Sequence, residues 1–152
     1  MAGFNAFKDY IVSNQFEIYS RTYEHLWLTF LSLLIAVTVG ITLGILLTRF
    51  KRLAPPVLVF VNIIQTIPSV ALLGFLLPIA GIGAKPAIIA LFLYSLLPIV
   101  RNTFTGITEV DPAVIEAATG MGLTNGQILM KVELPLAIPT IFAGIRTATV
   151  IN

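Results

Sequence analysis

The spacing that carries most information is Glu116-Ala117-Ala118, three residues, Gly122, nine residues, then Val132-Glu133-Leu134-Pro135. Two alanines beside one acid make a helix face that another backbone can approach closely. Glycine permits a sharp turn, and a proline after it resets the chain for a new helix. The chemistry of this pattern is docking: a short helix seated in a groove, with Glu116 able to pair with a cation or face a helix N-terminus. Bond-making chemistry is absent. The chain has no cysteine and one histidine, His25, so thiolate chemistry and Cys-type metal sites are excluded and few options for metal remain. It contains no H-E-x-x-H and no G-x-S-x-G. It also lacks any G-x-x-x-x-G-K-[ST] loop that could cradle a nucleotide phosphate. No catalytic and no metal site is expected.

Two further groups stand out. Gln65-Thr66-Ile67-Pro68-Ser69 places polar side chains around a proline within an apolar stretch. Gln65, Thr66, Pro68 and Ser69 are candidate translocation-pathway residues; equally, the polar side chains serve the backbone groups that a kink frees. Arg146 is a lone charge within the last apolar segment, where an ionised group needs a site or a partner; internal pairing is favoured over solute contact. Gly40 and Gly44 form a G-x-x-x-G pair suited to close packing within the subunit. Glu24, His25 and Trp27 sit at the start of the first apolar run and read as interfacial anchors, Trp27 in an aromatic belt.

The elements that position these residues follow from composition. Of 152 residues, 57% are hydrophobic and 11% charged, with a mean hydropathy of +0.98. Soluble domains carry roughly 25% charged residues, so most of this chain's surface faces lipid or other apolar protein. No basic patch interleaved with aromatics is present, which argues against nucleic-acid binding. The N-terminus lacks the layout of a cleaved signal peptide.

Residues 26–48 are uncharged and mostly apolar, enough for one spanning helix. They end at Arg49-Phe50-Lys51-Arg52, which puts that end in the cytoplasm and the N-terminus outside. Residues 1–21 form an outer-side segment; Phe4, Phe7, Ile11 and Ile18 suggest an interfacial or short peripheral helix over 4–23. A second span is expected over 57–79, bent or broken near 65–69. A third follows Pro86 and ends at Arg101, which snorkels to the inner interface. A fourth begins at Pro135–Pro139 and is still apolar at Asn152, as expected for a longer protein. Between the last two spans, Asp111-Pro112 should cap and open a helix to Met121. Gly122 ends it, and Thr124-Asn125 caps a second helix over Gly126–Val132.

The Glu116–Pro135 pattern resembles the EAA motif of ABC importer permeases, which reads Glu-Ala-Ala, three residues, Gly, nine residues, Ile-any-Leu-Pro. Valine stands at 132 in place of isoleucine. The runs 62–69 (NIIQTIPS), 94–103 (YSLLPIVRNT), Leu136-Ala137-Ile138-Pro139 and Gly144-Ile145-Arg146-Thr147 are similar to the glycine betaine/carnitine/choline permease subfamily. The resemblance covers about residues 22–152.

The resemblance implies an all-α integral membrane protein with a type I ABC importer transmembrane domain at 22–152. That domain would be C-terminally incomplete, with four spans visible of five or more. It implies a bacterial cell-membrane permease for a compatible solute such as glycine betaine, carnitine or choline, the alternative being a type I permease for methionine or another amino acid or small amine. The implied partners are a cytoplasmic ABC ATPase, an external solute-binding protein or fused binding domain, a second permease copy and the bilayer. No cofactor would be bound by this chain, ATP and Mg belonging to the ATPase. The coupling residues it implies are Glu116, Ala117, Ala118, Gly122, Val132, Leu134 and Pro135.

Overall fold

A computed structural model describes residues 10–152, and every regular element among them is helical. After a helical turn over 10–13, α1 (Gln15–Arg49) is 35 residues long. At 1.5 Å per residue it reaches about 52 Å, well beyond a hydrocarbon core of about 30 Å. The peripheral helix expected over 4–23 is therefore corrected. From Gln15 onward that stretch is the first part of α1, and residues 4–9 lie outside the described residues. No proline or glycine interrupts Gln15–Leu26, and Arg21 lies 4.0 Å from Glu17 and 3.4 Å from Glu24 along the same polar surface.

Pro55 and Pro56 occupy the first turn of α2 (Ala54–Thr66), where their missing N–H groups cost nothing. α3 (Ser69–Ala80) follows at a bend of 98°. The break falls where the sequence places it, but it is sharper than a kink in one rod. Pro68 disfavours helical backbone at Ile67, which is extended at φ −74°, ψ 127°. Each half is about 20 Å long or less, so neither alone crosses a bilayer.

α4 (Ala84–Thr108) is the centre of the fold. α1 packs on one side of it and α7 on another. The expected end at Arg101 is corrected: Thr103, Gly106 and Ile107 continue the buried stripe, so the helix runs seven residues further. Arg101 is exposed on its flank, beside Leu58, Asn62 and Leu97. α1 presents Ser32, Ala36, Gly40, Gly44 and Leu47 to α4, one residue per turn. The approach is close. A Cβ on Gly40 would lie 2.7 Å from the Ile99 Cγ2, and one on Gly44 would lie 2.6 Å from the Thr103 Cβ. The glycine pair thus packs within the chain, as its spacing suggests.

Past α4 come α5 (Pro112–Gly120), α6 (Asn125–Ile128), a π-helical segment (Leu129–Glu133) and α7 (Leu134–Ile151). Here the boundary differs from expectation. The last long helix runs unbroken from Asn125 to Ile151 rather than starting at Pro135, and the second short helix becomes its first turns. Pro135 lacks an N–H and would clash with the carbonyl one turn back. Widening that turn into a π segment keeps the helix continuous past it. α7 turns Ala137, Ile141, Gly144 and Ala148 inward.

Among the described residues three helices, α1, α4 and the Asn125–Ile151 run, are long and apolar enough to cross a membrane; α2 with α3 makes a fourth crossing if the bent pair counts as one. Val70, Ile79, Ile82 and Val150 are four-fifths or more exposed. Such an apolar exterior needs lipid or protein around it.

Candidate functional site: a docking turn and a broken-helix cleft

The first site is built on α5. Asp111 caps it, its carboxylate accepting from the Ala113 N–H at 2.9 Å. Gly122 ends it. The Gly122 N–H donates to the Thr119 carbonyl at 2.9 Å, and the Leu123 N–H reaches back to Ala118 at 3.2 Å. That pair of bonds is a Schellman motif, and Gly122, with φ +80°, supplies the left-handed residue it requires. Thr124 and Gln127 then form a reciprocal capping box that opens α6.

The two alanines face different ways. Ala118 is 1% exposed, in a helix that leans on α6 and the π segment, whereas Ala117 and Glu116 are exposed. Only Ala117 is therefore open to a groove on another protein; Ala118 sets how closely α5 folds back on its own chain. Glu116 forms no ion pair among the described residues. It lines a cleft of about 380 Å³ with Arg49, Lys51, Ile115 and Glu133. Leu134 packs beside Ile107, Ala137 and Ile141. Val132 is half-buried, and Pro135 is exposed in the first turn of α7.

Arg49 joins this group, which its sequence position beside two other cations did not reveal. Its Nη2 donates to the Asn125 carbonyl at 2.9 Å and lies 4.0 Å from the Glu133 carboxylate. The partners are 76 residues apart, so no local pattern could have found the contact.

The second site lies at the α2–α3 break. Gln65, Thr66, Pro68 and Ser69 line a cleft of about 530 Å³ that also takes in His25, Tyr94 and Asn152. Gln65 does not serve a group freed by Pro68. Its Nε2 donates at 3.5 Å to the Tyr94 carbonyl, the acceptor that Pro98, one turn on in α4, leaves without its helical donor. The Tyr94 hydroxyl in turn donates to the Ile67 carbonyl. Thr66 bonds to Ile63 of its own helix at 2.7 Å. His25, read from its position as an anchor, faces this cleft as well.

Arg146 stands apart from both sites. It is exposed on the face of α7 that carries Pro139, Phe142, Thr147 and Val150, and it has no acidic partner among the described residues. The internal pairing expected for it is not seen among the described residues. The opposite, small-residue face of α7 is the one that packs inward, which turns position 146 outward. Among the described residues no cluster of His, Asp or Glu could hold a metal ion.

Residues 27–152 match the family described as binding-protein-dependent transport system inner membrane component. Over 146 residues the chain is 45% identical to the glycine betaine/carnitine/choline transport system permease protein OpuCB of Bacillus subtilis, covering 96% of this chain and 67% of that protein. It is 46% identical to the choline transport system permease protein OpuBB of the same organism, covering 93% of this chain and 65% of that one. It is 47% identical to the osmoprotectant import permease protein OsmW of Salmonella typhimurium, covering 94% and 69%. The chain thus spans about two thirds of the length of these relatives. Among solved structures it superposes on inward-facing forms of the MetNI methionine ABC transporter with a TM-score of 0.71 and 29% identity, covering 84% of this chain and 65% of that one. With its all-helical type I permease architecture, the chain belongs to the binding-protein-dependent transport system inner membrane component family.

Proposed function

We propose that this chain is the membrane-spanning permease subunit of an ATP-driven importer for a compatible solute of the glycine betaine, carnitine or choline type. The observation that carries the reading is the unbroken helix from Asn125 to Ile151, which begins three residues past the Gly122 turn and continues into a membrane-crossing rod. A docking turn that continues into a span is what a separate motor needs in order to move the span. The choice of solute is supported by relatives at 45–47% identity whose names specify these solutes or osmoprotectants. That is closer than the 29% identity to the methionine transporter, whose likeness supports the shared fold.

In this reading the Arg49–Arg52 cations and the α5–α6 segment face the cytoplasm, and the start of α1 lies outside. Glu116, Ala117, Gly122 and the run through Val132, Leu134 and Pro135 receive a cytoplasmic ATPase. ATP and Mg are bound there and not by this chain. Gln65, Thr66, Pro68 and Ser69 line the pathway, which a second permease copy completes. A binding protein, or a binding domain fused to the permease, delivers the solute from outside.

The test is uptake of labelled glycine betaine, carnitine, choline and methionine by cells that lack their own importers for these solutes. The cells would carry the full-length permease with its ATPase and binding protein. Uptake of one or more quaternary ammonium solutes, not competed by methionine, is expected. Methionine uptake alone would replace this reading with the amino-acid alternative.

A further inference from the structure

We propose that Arg49 is a positioning residue for coupling, a brace that ties the stretch between the Gly122 turn and α7 to the end of α1, so that displacement of the turn reaches α7. The proposal rests on the docking role given above to the α5–α6 segment. Arg49 is the last residue of α1. Its guanidinium reaches the carbonyl of Asn125, the first residue of α6, at 2.9 Å, and lies 4.0 Å from the carboxylate of Glu133, the last residue of the π segment. One side chain thus spans both ends of the stretch between the turn and α7.

That stretch is where a mechanical signal would be lost. The Leu134 N–H bonds to the Leu129 carbonyl in the five-residue pattern of a π turn. Such a turn can exchange for the tighter α pattern by a one-residue shift, and Pro135 on its far side removes a donor that would otherwise hold it. Force applied at Gly122 would be absorbed by that shift unless both ends are held against something fixed. α1 provides the fixed point, because its small-residue face is locked against α4 at Gly40 and Gly44.

Leu129 and Leu134 pack on the inner side of the joint against Ile107 and Ala137, but its outer side is open. Thr48, Lys51, Ile107, Ile115 and Glu116 surround an open cleft of about 380 Å³ beside Arg49. The bridge across it is polar. The Asn125 carbonyl accepts from Arg49 while also accepting the Leu129 N–H of its own helix. The one Nη2 makes both contacts, a hydrogen bond to Asn125 and a 4.0 Å ion pair to Glu133, and the planar guanidinium fixes that geometry better than a lysine ammonium would. Arg49 is 40% and Glu133 18% exposed, so static stability gains little from the pair; its value is geometric.

The experiment uses the full-length permease reconstituted in vesicles with its ATPase and binding protein, and reads solute imported per ATP hydrolysed beside ATPase co-purification. R49A should keep co-purification while that ratio falls about fivefold or more. R49K should fall between R49A and wild type. E133Q should lower the ratio less than R49A does, since the Asn125 bond survives. R49A at the wild-type ratio would overturn the proposal. Should R49A fail to reach the membrane, R49K decides alone, and a wild-type ratio there overturns it equally. G122V run in parallel separates this proposal from the reading beneath it. If G122V leaves ratio and co-purification unchanged, the docking role itself is wrong. If G122V uncouples and R49A does not, only the brace is wrong.

Discussion

The Tyr94 hydroxyl of α4 donates to the Ile67 carbonyl at the α2–α3 break, while Gln65, two residues before Ile67, donates back to the Tyr94 carbonyl at 3.5 Å. Each helix is interrupted by a proline, Pro68 at the break and Pro98 within α4. Each supplies a side chain to a carbonyl near the other's interruption. In a lipid-facing protein an unpartnered carbonyl is costly, and at each interruption a side chain from the other helix meets one.

Tyr94→Phe should therefore loosen the break without disturbing the α1–α4 core. An unsatisfied carbonyl costs about 1–3 kcal/mol. The melting temperature in detergent should fall, and S69C, introduced into this cysteine-free chain, should react faster with a thiol probe. Equal reactivity of S69C with and without Tyr94→Phe would show that the hydroxyl does not hold the bend.

Gly122 separates backbone strain from bulk. A Cβ there meets nothing within 4 Å in this chain. For Gly122→Ala and Gly122→Leu, neither branched at Cβ, the internal penalty is mainly the left-handed backbone, about 1–2 kcal/mol. Uptake should fall further for leucine than for alanine, because the added bulk meets a docked partner. Equal loss in the two variants would mean that nothing sits against the turn.

Gly44 and Gly74 make a contrasting pair. A Cβ on Gly44 would press on the Thr103 Cβ at 2.6 Å and the Val100 carbonyl at 3.1 Å, whereas one on Gly74 meets open space. Gly44→Leu should cost at least the 1–3 kcal/mol typical of overpacking, read as loss of monodisperse protein in detergent. Gly74→Leu should be neutral or mildly stabilising, since leucine favours a helix over glycine. Comparable loss at both positions would rule out the close α1–α4 approach.

Orientation is tested with single cysteines. A84C, at the start of α4, should be labelled in intact cells by an impermeant thiol reagent, and N125C, at the start of α6, only after the membrane is opened. Labelling of N125C in intact cells with A84C protected would reverse the topology.

Much of this protein follows from short stretches of its chain. The apolar runs mark where helices cross, Asp111 and Thr124 mark where two begin, Gly122 marks where one must turn, and Pro68 marks the break. These features are legible because hydropathy, capping and proline geometry act over a few residues along one strand of chain. Tertiary structure decided the rest. That Ala118 faces inward while Ala117 faces out, that Arg146 lies on the exposed face of α7, that Gln65 serves a carbonyl freed by Pro98 rather than Pro68, and that Arg49 reaches Asn125 all depend on how each helix is rotated about its own axis. That rotation is set by which small faces interlock on α4, Gly40 and Gly44 from α1 and Gly144 from α7, and contacts between segments so distant in the chain leave no mark in either segment alone.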